Sequence, residues 1–90
     1  MEICVLHMRW KSEEEKEFQY GYALLETQKE SKTEYFIRCF SEGGNDETVL
    51  CWIHPRLADT FEKAYTILYR LAVRRVFPIH LEDVLSDMEL

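Results

Sequence analysis

Two stretches of this chain carry the same pair of metal-competent side chains at the same spacing: Cys4-Val5-Leu6-His7 and Cys51-Trp52-Ile53-His54. Two thiolates and two imidazoles form a donor set that suits zinc, which takes sulfur and nitrogen in a tetrahedron. The spacing argues against the metal. Residues three apart on a strand point to opposite faces, and neither tetrapeptide contains the glycine that a knuckle would use. The plainer reading makes the cysteines small buried hydrophobes, with the histidines at strand ends. The expectation is a chain without a metal site or cofactor.

Other chemistry is no better supported. A thiol nucleophile needs a base beside it and a third group to orient that base. His7, His54 and His80 are available, but no flanking motif singles out any of them. Carboxylates cluster at Glu13 to Glu15 and at Glu82 with Asp83. No apolar wall stands beside them to raise a pKa, so they read as solvated surface. Gly43 and Gly44 lack the lysine and hydroxyl residue of a phosphate-binding loop. The chain is therefore expected not to be an enzyme.

Lys63, Arg70, Arg74 and Arg75 could touch phosphates while Tyr20, Tyr22 or Trp52 stacked on bases, which makes nucleic-acid binding the alternative function. The charge balance opposes it. Net charge is −6, with 11 acids against 6 bases in residues 1–54, 2 against 5 in residues 55–78, and 4 against none in residues 79–90. An acidic chain whose bases gather at one helix end is poorly suited to a polyanion.

The elements that must position these residues follow from periodicity. Pro55 to Phe77 is the clearest: Leu57, Phe61, Ala64, Leu68, Leu71 and Ala72 recur at steps of three and four, widened by Tyr65 and Val76. This predicts an amphipathic helix, opened by Pro55 or by Asp59 with Glu62 and stopped by Pro78. Glu2 to Trp10 alternates as a strand, with Cys4, Leu6, Met8 and Trp10 on its more apolar face. Lys11 to Gln28 is ambiguous. Ser12 and Glu15 could cap a helix, yet aromatic alternation over Phe18, Tyr20, Tyr22 and Leu24, and Gly21 in mid-segment, favour a strand over Glu17 to Thr27. Gln28 to Lys32 connects it to a strand at Thr33 to Phe40. Ser41 to Glu47 reads as a turn, and Thr48 to His54 as a strand apolar on both sides. Ile79 to Leu90 offers a short terminal helix.

The whole reads as one α+β domain over residues 1–90: a four-stranded, mainly antiparallel sheet packed by one long helix and a short terminal one. The alternative is β-α-β-β-α. Three cysteines at irregular spacing, with no signal or membrane-spanning pattern, point to a soluble cytoplasmic protein. One helical layer covers one sheet face, so the other must find cover. The expected function is a non-enzymatic protein-binding module of small acidic regulatory, inhibitor or adaptor type, engaging a protein partner or a second copy of itself as a homodimer. Its expected contact residues are Tyr20, Tyr22, Tyr35 and Trp52, with Glu13, Glu14, Glu15 and Glu17 facing a basic partner.

Overall fold

Strand-forming alternation dominates the first half of the chain, and the structure, a computed structural model, turns it into a sheet. It describes residues 1–42 and 47–88; the turn expected at Ser41 to Glu47 falls mostly on 43–46, outside the described residues. Strands β1 (Glu2–Lys11), β2 (Glu17–Lys29), β3 (Lys32–Ser41) and β4 (Thr48–Ile53) form one antiparallel sheet in the order β1-β2-β3-β4. The ambiguous segment is thus a strand. Ser12, its candidate helix cap, instead closes the β1–β2 hairpin. Glu15 N–H donates to the Ser12 carbonyl, Lys16 N–H reaches the Ser12 hydroxyl, and Glu15 sits at φ 62°. This is a three-residue loop whose last position is left-handed.

The long helix is shorter than its apolar pattern. Helix α1 runs Phe61–Val73, and Pro55 to Leu57 form a separate turn fastened by Leu57 N–H to the His54 carbonyl. Neither Pro55 nor Asp59 opens the helix. Thr60 caps it, its hydroxyl accepting from Lys63 N–H, while Asp59 pairs with Lys63 Nζ at 3.1 Å. Nor does Pro78 end it. Arg75 turns left-handed at φ 57°, its N–H meets the Ala72 carbonyl, and Val76 N–H meets the Leu71 carbonyl. Those two bonds make a Schellman stop, with Leu71 and Val76 both in the core. Pro78–His80 then forms a 3-10 turn leading into α2, Leu81–Met88.

Both helices lie on the same face of the sheet, α1 over β1 and β2 and α2 beside β4. The core between the layers holds Tyr22, Leu24, Ile37, Cys39 and Ile53 from the sheet and Ala64, Ile67, Leu68, Leu71 and Leu81 from the helices. Tyr22 donates its hydroxyl to the Val76 carbonyl at 2.8 Å, tying the middle of the sheet to the helix stop. On α1 the expected stripe is partly displaced: Phe61 and Tyr65 point to solvent, and Ile67 is buried instead. Ala64 and Ala72 sit at the contact, where small side chains let the helix approach the strands.

Candidate functional site

The register decides what lies on each face. On the covered side the rows read Cys4–Leu24–Ile37–Cys51 and Leu6–Tyr22–Cys39–Val49. On the open side they read Leu25–Phe36–Trp52, then Val5–Ala23–Arg38–Leu50, then His7–Gly21–Phe40–Thr48. Leu50 and Trp52 are 56% and 46% exposed there, on the edge strand beside α2. The outer end of the Phe40 ring covers Gly21, so close that an added Cβ would meet it at 2.2 Å. The Arg38 guanidinium stacks 4.8 Å from the Phe40 ring and reaches Glu2 at 2.8 Å.

Of the eight expected contact residues, only Trp52 belongs to this apolar face. Tyr20, Tyr22 and Tyr35 lie beneath the helices, at most 7% exposed, and burial pushes all three phenols above their usual pKa. The reason is parity. Tyr35 pairs with Ile53 and Phe36 with Trp52, so Tyr35 and Trp52 point oppositely. Glu13 to Glu15 occupy the β1–β2 turn, away from Trp52. Glu17 is on the open side but eight positions along β2 from Leu25, about 26 Å from the Trp52 row. Arg9 and Gln19 both donate to its carboxylate, and the Arg9 hydrogen bond foremost holds it below the usual carboxylate range.

The two Cys-x-x-His stretches do not converge. Cys4 and Cys51 share a row but stand on the two edge strands, three spacings or about 14 Å apart. His7 points to the other face, where Nδ1 bonds Glu42 at 2.7 Å. No group of three metal-binding side chains occurs among the described residues. Burial, and then Glu82, raise the Cys51 thiol, which keeps it protonated and a poor nucleophile.

Two features escaped the sequence reading. Phe61, Tyr65, Tyr69 and Val73 form an exposed ridge along α1, legible as a strict step of four, with the first two rings stacked at 6.0 Å. A groove of about 330 Å³ runs between β4 and α2, lined by Leu50, Cys51, Trp52, His54 and Leu57 on one side and by Glu82, Leu85 and Ser86 of α2 on the other. No single segment's periodicity announces it, because its two walls lie some thirty residues apart. Of the basic residues, Arg75 lies over Trp10 at 5.3 Å, within a cluster of Trp10, Phe18, Tyr20 and Phe77.

A four-stranded antiparallel meander with both helices on one side defines an α+β protein whose remaining face is bare. Over residues 1–89 the chain matches the family of unknown function DUF6514, and it belongs to that family. No curated protein and no solved structure matches it.

Proposed function

We propose that the protein is a non-enzymatic protein-binding module that associates with a second copy of itself through the open sheet face. The observation that carries this reading is the row Leu25–Phe36–Trp52 beside Leu50, an apolar surface of residue types enriched at interfaces.

Charge supports the second copy as occupant. Arg38 with Glu2, Arg9 with Glu17 and His7 with Glu42 already pair on or beside this face, so it meets its own image with little like-charge repulsion. The nucleic-acid alternative is weakened by burial, since Tyr20 and Tyr22, two of its three base-stacking residues, are at most 7% exposed. Sedimentation equilibrium at micromolar concentration tests the reading. The expected outcome is a dimer that Trp52→Glu converts to monomer with its circular dichroism unchanged; a monomeric wild type overturns it.

A further inference from the structure

We infer that the groove between β4 and α2 is a second binding site, which takes an extended basic–apolar peptide segment of a partner protein as a fifth strand. It adjoins the open face, sharing Leu50 and Trp52 with it, but is built by α2 and the backbone edge of β4 and does not require the chain's self-association. Three observations meet there. β4 is an edge strand, and among the described residues the backbone groups of Thr48–Ile53 bond only to β3. Such an edge presents a row of free N–H and C=O groups that an incoming strand can pair with.

The edge is not bare but walled. α2 stands beside it and encloses the groove of about 330 Å³, enough to take an apolar side chain from alternate positions of an added strand against Leu57 and Leu85. Strand addition of this kind draws affinity from the main chain and selectivity from such a pocket. The third observation is charge. α2 carries Glu82, Asp83 and Asp87 with no base, and Glu82 lines the groove. Opposite it, His54 Nδ1 accepts the Arg56 N–H at 3.0 Å, so the neutral ring carries its proton on Nε2 as a donor.

This charge selects the occupant. A second copy pairing β4 to β4 would bring two acidic α2 helices to one seam, which like-charge repulsion disfavours. A lysine or arginine flanking the inserted apolar residue would meet Glu82 instead. The experiment screens the purified full chain against a synthetic library of short peptides. Expected are binders with lysine or arginine next to an apolar residue at alternating positions, shifting amide resonances of β4 and α2 but not those of Phe36 or Phe40. N-methylation of alternate peptide amides should abolish binding. Glu82→Lys should weaken it at least tenfold, and Ser86→Trp, which fills the groove from an exposed position, should do the same in a chain that still folds. No binder, an acidic consensus, indifference to N-methylation, or shifts at Phe36 and Phe40 without any in α2 would overturn the assignment.

Discussion

The Val76 carbonyl is where the two layers are tied most closely. It accepts from the Tyr22 hydroxyl at 2.8 Å and, more weakly, from the Cys39 thiol at 3.6 Å. Tyr22→Phe leaves this buried acceptor only the sulfur, and should cost about 1–2 kcal/mol in urea denaturation. A midpoint equal to wild type would mean that the carbonyl is not a strut. Burial pushes the Cys39 thiol up to about 12 from an ordinary 9.0. Its folded pKa is raised, so the native state holds the proton more firmly than the unfolded chain does. The associated stability is whole below pH 9, is lost as pH rises toward 12, and Cys39→Ala should flatten that fall. Melting temperatures from pH 8 to 11 measure it. Burial raises Tyr22 in the same direction, so some alkaline loss should survive the substitution.

Among the elements, the β2–β3 hairpin pairs Lys29 with Lys32 and turns through Glu30 at φ 50° and Ser31 at φ 68°. Two left-handed residues in succession suit Asn-Gly, and neither native side chain is at ease there. Glu30→Asn with Ser31→Gly should therefore raise stability by about 1 kcal/mol, read as a higher urea midpoint at constant slope. An unchanged midpoint would show the turn to be unstrained. The strands were legible because alternation and aromatic density agree over β1 to β4. The join at Gln28 to Lys32 was legible as a hairpin connector but not in its two-residue form, since a Glu-Ser pair carries no signature of that turn. Helix α1 was legible as a helix but not in its bounds or orientation. Its apolar residues form two stripes, Phe61–Tyr65–Tyr69–Val73 and Ala64–Leu68–Leu71, and size misleads. The aromatics face outward because the alanine stripe allows the closer approach to the sheet.

For the whole molecule, alternation tells which residues within one strand share a face but not how faces match between strands. Alternation joins Tyr20 to Tyr22, yet relating them to Trp52 needs the β3–β4 register, which no single strand encodes. That the helices cover only one sheet face was legible from the element count; which residues the other face presents was not. The sheet connects each strand to the next in sequence, and both helices come after β4. On the ribosome this order becomes a schedule. At about 5–20 residues per second, the interval between completing Ile53 and completing Val73 is a few seconds at most. Throughout it Tyr22, Leu24 and Ile37 have no helix to bury them. The nascent sheet is then apolar on both sides, so a chain released after His54 should aggregate or stay unfolded rather than hold a meander. Supplying residues 55–90 as a separate peptide should restore its strand signal in circular dichroism, and a stable sheet without that peptide would contradict the dependence on α1.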